Sequence, residues 1–207
     1  MNAPHAKDLV VLVANKNMEF AVRGILTRRD ALAMRELSFD LYVHPERDPG
    51  CLKRGCDFLR PFANSYAHAL ILFDHAGCGQ ESRTPEELES GIESQLAQSG
   101  WASCATIVIA PELENWVWSD SPHVDVVLGW ADKTPVLKNW LMDNGHWLAN
   151  ELKPRAPKEA LEAAIRFVRK QRSSSLYSDL GEKVGLQRCS DRAFVKLKDA
   201  LKTWFSV

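Results

Sequence analysis

No apolar run in this 207-residue chain approaches the ~18 residues of a membrane-crossing helix, so no transmembrane segment is expected. The opening MNAPHAKD lacks the basic and apolar regions of a secretory signal, and a cytoplasmic protein is expected. Cysteine is sparse and scattered. The five residues (Cys51, Cys56, Cys78, Cys104, Cys189) are odd in number and form no Cys-x-x-Cys pair, which excludes a disulfide framework and a structural zinc site and leaves reduced thiols. No P-loop, dinucleotide fingerprint or Gly-x-Ser-x-Gly elbow is present, and no cysteine sits in a recognisable nucleophile context. Internal repeats and low-complexity tracts are absent as well.

The chain does hold short, uninterrupted apolar runs followed by polar turns and helical patterns. LVVLVA at 9–14, ALILF at 69–73 and ATIVIAP at 105–111 have the continuous apolar character of strands buried on both faces of a parallel sheet; SFDLYVHP at 38–45 alternates and reads as a strand nearer an edge. ERDPG is read as a turn at Asp48, Pro49 and Gly50, followed by a helix that runs to about Leu59. Thr84, Pro85 and Glu87 make a capping box, the firmest local signal in the chain. Trp116, Trp118 and Trp130 are read as core or interface residues in preference to base-stacking platforms. The expected fold is α/β, with a mostly parallel central sheet of about four strands flanked by helices and a C-terminal helical extension. Pro154 and Pro157 place the boundary between an α/β body at 8–150 and an extension at 151–207, in which Ser190 is read as the cap of the last helix.

Charge divides along the same line. Residues 151–207 carry 13 Lys or Arg against 7 Asp or Glu, leaving 13 against 20 in the first 150 residues. A basic extension on an acidic body marks an anionic partner, DNA or RNA above all, or basic faces that are solvated or dock on the body. Arg166, Arg169 and Lys170 are the candidate nucleic-acid contacts.

The chemistry concentrates in ALILFDHAGCGQE at 69–81, where a buried strand ends on an acid, a histidine and two glycines. Ligands of open α/β folds bind outside the carboxyl ends of the strands, which is where Asp74 stands. Glu112 and Glu114 follow the fourth strand toward the same edge. Acids collected at one sheet edge suit Mg²⁺ or Mn²⁺, which need only one or two carboxylates plus substrate phosphates. Asp74, Glu112, Glu114 and Glu81 are the candidate metal ligands; Asp74, His75 and Glu19 are the candidate catalytic groups.

VLVANKNMEFAVRGIL, LILFDHAGCG and IVIAPELENWVW, in that order, resemble the Toprim-like proteins related to the OLD-family nucleases, several of which act in bacterial defence against phages. The resemblance covers roughly residues 8–120. It implies a Mg²⁺-dependent phosphodiester chemistry carried by a Glu after the first strand and an Asp-x-Asp after the third. Here Ala14 or Asn15 takes the first place and Ala76 the last, so Asp74 alone carries over. Three readings follow: a Toprim-like defence component that acts on or binds nucleic acid through a reduced metal site, a noncatalytic assembly subunit that binds a partner protein of such a system, and a small-molecule α/β enzyme using Asp74 and His75.

Overall fold

The computed structural model describes residues 5–185 and 189–206. Four parallel strands, β1 (Lys7–Val13), β2 (Phe39–Val43), β3 (Tyr66–Asp74) and β4 (Cys104–Ile109), form one sheet in the order β2-β1-β3-β4. The two central strands are the two most apolar runs: Leu9–Val13 and Ala69–Phe73 are wholly shielded from solvent. A parallel sheet needs helices on both faces, and the helical segments supply them. These are α1 (Lys16–Leu26), α2 (Arg29–Leu32), α3 (Arg47–Leu59), α4 (Pro85–Gln98), α5 (His123–Leu128), α6 (Leu137–Asp143), α7 (Pro157–Phe167), α8 (Ser174–Lys183) and α9 (Arg192–Phe205), with short 3-10 turns at Arg60–Phe62 and Leu113–Trp116. The expected α/β architecture is the one observed.

The helices after residue 150 share the hydrophobic core of the sheet. Leu161, Ile165, Leu180, Leu197 and Leu201 belong to the same buried cluster as β1 and β3. Trp116, Trp118 and Trp130 are buried there too. Helix α8 lies directly on α1, and two glycines permit that approach: a Cβ on Gly181 would stand 2.4 Å from the Ala21 carbonyl oxygen, and one on Gly24 would stand 2.8 Å from that of Ser178. Helix α9 packs on β4.

The outer edge of β4 is closed by side chains. Glu93 Oε1 accepts from the Thr106 amide and Glu89 Oε1 from the Val108 amide, each at 2.8 Å, while Arg192 donates to the Val108 carbonyl at 3.0 Å. Arg192 and Lys196 of α9 neutralise the buried Glu89, and Lys196 also reaches Glu93. Capping the edge amides in this way denies the strand to a further pairing partner.

Two local readings are corrected. Asp48, Pro49 and Gly50 form the first turn of α3 in place of a loop turn. Proline is tolerated in a first turn because its missing N–H has no partner there, and Gly50 is required because a Cβ would stand 2.1 Å from His44 Nδ1. The cap of α9 is Asp191, whose Oδ1 accepts from the Phe194 amide at 3.1 Å, and not Ser190. The Thr84 capping box is formed as read.

Gly181→Ala is expected to cost about 2 kcal/mol by forcing α8 away from α1, lowering the thermal midpoint by roughly 4–8 °C. Differential scanning calorimetry checks this, and an unchanged midpoint would show that the crossing has room to spare.

Candidate functional site

Between β1 and β3 the chain order reverses, since β2 lies on one side of β1 and β3 on the other. The loops leaving β1 and β3 therefore part, and the crevice they open at the carboxyl ends of the strands is the usual ligand position in such sheets. Here it is a polar cleft of about 530 Å³, contributed by Asn15 and Lys16 after β1, His44 to Asp48 after β2, Asp74 at the end of β3, and Glu112 and Glu114 after β4. Lys158 at the start of α7 and Arg172 before α8 complete it.

Helix starts hold the carboxylates in place. Asp74 Oδ1 accepts from the Leu113 amide at 2.8 Å, and the Asp74 amide donates to Asp48 Oδ1 at 2.8 Å. Glu112 Oε1 accepts from the Lys158 amide at 3.2 Å. Asp74 opens to the cleft along only part of its surface and is otherwise packed in protein. Burial first, then the charge of Asp48 and those of Glu114 and Glu112, raises its carboxyl well above the ordinary range against the pull of the Leu113 amide. Burial also raises Asp48, opposed by the Asp74 amide and by Arg47 and Lys158. Glu112 is raised by burial and by Glu114. The edge thus carries carboxyls that resist ionisation until a cation arrives.

The cations of the cleft fall into two groups. Arg172 donates to Glu114 and Glu162, each at 2.7 Å, and Lys16 pairs with Glu19 at 2.8 Å. The side chains of Arg47 and Lys158 have no hydrogen bond or ion pair among the described residues. Arg47 also adopts a left-handed φ of 53°, a conformation that costs a non-glycine residue about 1 kcal/mol or more and tends to collect at working sites.

The residues singled out in the sequence are only partly brought together. Asp74 and Glu112 face one cleft as expected. Glu114 lines it too, but its carboxylate is buried and held by Tyr177 Oη at 2.6 Å and by Arg172, so it is committed to the core and not available as a ligand. Glu81 lies outside the cleft lining; its Oε1 accepts from the Gly77 and Gly79 amides at 2.9 and 3.0 Å and organises the glycine turn. Glu19 does not line the cleft; it is engaged by Arg23 and by Lys16, which does. His75 also points elsewhere: its Nε2 meets the Arg83 carbonyl at 2.8 Å. Arg166, Arg169 and Lys170 are exposed near the far end of α7 from Lys158, and Lys170 donates to the Val127 carbonyl. Sequence reasoning missed Asp48, Arg47, Lys158, Arg172 and Lys16. The signal for the first two was present, since ERD follows a strand as directly as Asp74 does, but the proline and glycine beside them read as a turn.

A divalent ion fits this set poorly. Among the described residues no group of three or more His, Cys, Asp or Glu side chains stands close enough to hold a metal. Asp48, Asp74 and Glu112 are each already bonded to a backbone amide, and Glu114 is bonded to Tyr177 and Arg172. A thiol nucleophile is excluded as well: Cys51, beneath Asp48 and Asp74, is buried and its thiol is pushed far up, first by burial and then by those two charges. Comparison of the chain with protein-family models, with curated proteins and with solved structures finds no match.

Two expectations test the electrostatics. Because the folded-state pKa of Asp74 is raised, its ionisation destabilises the fold as pH rises through that value, and the cost is absent below the ordinary carboxylate range. Asp74→Asn keeps an acceptor for the Leu113 amide and removes the charge, so its thermal midpoint should exceed that of the parent chain at pH 8 and converge with it below about pH 4. The opposite order at pH 8 would show that Asp74 is stabilised as an anion. Arg172→Met strands the buried Glu114, at a cost on the order of 2 kcal/mol given that Arg172 is itself partly exposed. Adding Glu114→Gln should recover most of the loss in urea denaturation.

Proposed function

We propose that the cleft receives the phosphate backbone of a nucleic acid, and that the chain is a Toprim-like component of a prokaryotic defence system. The observation that carries this reading is the pair of uncommitted cations, Arg47 and Lys158, beside raised carboxyls at the switch point of the sheet. The start of α1, α3 and α7 each contributes residues to the same cleft, and the partial positive charge of helix starts favours a phosphate there. Asp48 and Asp74 can be protonated as an anion enters, which removes repulsion and offers an O–H donor to a phosphate oxygen. Arg166 in the last turn of the helix that Lys158 begins, and Arg169 just beyond its end, are both exposed and offer further basic surface outside the cleft.

The second reading, a noncatalytic subunit that positions a partner protein, is favoured by the commitments of the acids. Asp74 and Glu114 serve backbone and core partners, and the described residues offer no ready metal cage.

Fluorescence anisotropy with labelled single-stranded and duplex oligonucleotides between 50 and 200 mM salt separates the two. Binding should weaken steeply with salt, and Arg47→Gln with Lys158→Gln should reduce the log–log slope by roughly 1.4 on single strands and 1.8 on duplex DNA, the values for two lost phosphate contacts. Neutralising Arg166 and Arg169 should reduce it further. Absence of binding at 50 mM salt would overturn the nucleic-acid reading and leave the subunit reading standing.

A further inference from the structure

A second concavity lies away from the cleft, on the side of the molecule built by α5, α6 and the chain that follows them. It is a groove of about 590 Å³ with apolar walls from Trp118, Val124, Val136, Leu137, Trp147 and Leu152. Val136 is 54% exposed and Leu152 is 90% exposed, so the groove has an apolar rim that the fold leaves uncovered. Beyond Leu152 and Asp120 the concavity continues past Lys153 and Ser190. The two concavities share Trp118, Ser119, Asp120 and Leu152 in their walls.

Its charges decide what fits. Lys138, with no hydrogen bond or ion pair among the described residues, lies over the Trp147 ring at 5.0 Å, whereas the other cations of the groove are engaged: Lys153 donates to the Asn115 carbonyl at 2.7 Å beside Asp191, and Arg192 is held by Glu86 and Glu89. The acids Asp120 and Asp125 are not; neither carboxylate has a hydrogen bond or an ion pair among the described residues. Asp125 is partly buried, which raises its pKa with no neighbouring cation to offset the cost. Ser119 in the same wall keeps a buried hydroxyl without a partner among the described residues. Two unpaired acids against one cation without an ion pair, Lys138, leave the free charge of the groove negative on balance among the described residues, opposite to that of the cations left free in the cleft.

We propose that this groove docks a peptide segment of a partner protein that sets a lysine or arginine between apolar residues. The basic side chain would meet Asp120 and Asp125, whose present isolation is relieved by an incoming cation, and the apolar neighbours would cover Val136 and Leu152. A nucleic acid is excluded by the sign of the free charge. A small quaternary ammonium is disfavoured because the Trp147 face that would receive it already carries Lys138. Aromatic anchors beside an exposed leucine and a polar rim are also the usual composition of a protein contact.

Selection of a random nonapeptide library displayed on phage against the full chain tests the proposal, with Asp120→Asn/Asp125→Asn and Leu152→Glu as separate counter-targets. Enriched sequences should carry a lysine or arginine next to apolar residues. A synthetic peptide of the enriched sequence should bind the parent chain at least tenfold more tightly than either variant and should shift tryptophan fluorescence. The thermal midpoints of both variants should match or exceed that of the parent chain, since one loses a poorly solvated charge and the other changes an exposed position. No enrichment, enriched sequences without a basic residue, or equal binding to the variants would overturn the proposal. Displacement of the peptide by millimolar tetramethylammonium would overturn it as well, in favour of a small-cation site.

Discussion

Everything in this molecule answers to the burial of β1 and β3. Two strands with no solvent-exposed residue at Leu9–Val13 and Ala69–Phe73 can exist only inside a sheet covered on both faces. That requirement recruits α1 and α3 to the sheet and then α8 onto α1, close enough that Gly24 and Gly181 leave no space for a Cβ. It also leaves the backbone of β4 at risk on its outer edge. Glu89 and Glu93 meet that need by accepting from its amides; Glu89 is buried in doing so and requires the cations of α9, one of which also pairs with the half-buried Glu93. The last helix is therefore part of the solution to an electrostatic cost incurred in the sheet.

This explains much of the charge asymmetry. Several basic residues of the C-terminal segment are paired with acids of the preceding body: Arg192 with Glu86 and Glu89, Lys196 with Glu89 and Glu93, Arg172 with Glu114. Internal neutralisation of buried carboxylates uses charge that composition alone offers equally to an outside partner. Within the cleft, Arg47 and Lys158 are left without an ion pair among the described residues.

The cleft and the groove are complementary consequences of the same packing. At the carboxyl ends of the strands, apolar burial stops abruptly, and the amides of Asp74, Leu113 and Lys158 are turned toward carboxyls. Carboxyls gather there because those amides satisfy them, and burial then holds Asp74 and Asp48 above their ordinary range. On the other side, the chain around α5 and α6 buries Trp118, Trp130 and Trp147 in the core but leaves Val136, Leu152 and two unpaired acids lining the groove. One surface has cations to spare and the other anions, which separates the ligands each can take.

The amino-acid sequence by itself determined the local elements: three strands from continuous apolar runs of five to seven residues bounded by turns, a fourth from the alternation at 38–45, and the start of α4, because Thr84, Pro85 and Glu87 satisfy its own first amides. It also placed Asp74 at the working edge, since the strand that ends there is unmistakable. The tertiary structure alone decided which acids meet. Glu114 turns into the core toward Tyr177, and Glu81 folds back on its own glycine turn. Asp48 joins Asp74 because His44 takes the space beside Gly50 and starts a helix where proline and glycine spell a turn. Strand order is likewise a property of the whole, and Lys158 reaches the cleft from 84 residues beyond Asp74 because α7 packs on the 3-10 turn that follows β4. Periodicity and capping are interactions between near neighbours and can be read along the chain. Side-chain commitments between distant segments depend on which surfaces are left after the sheet has been buried, and no local pattern records them.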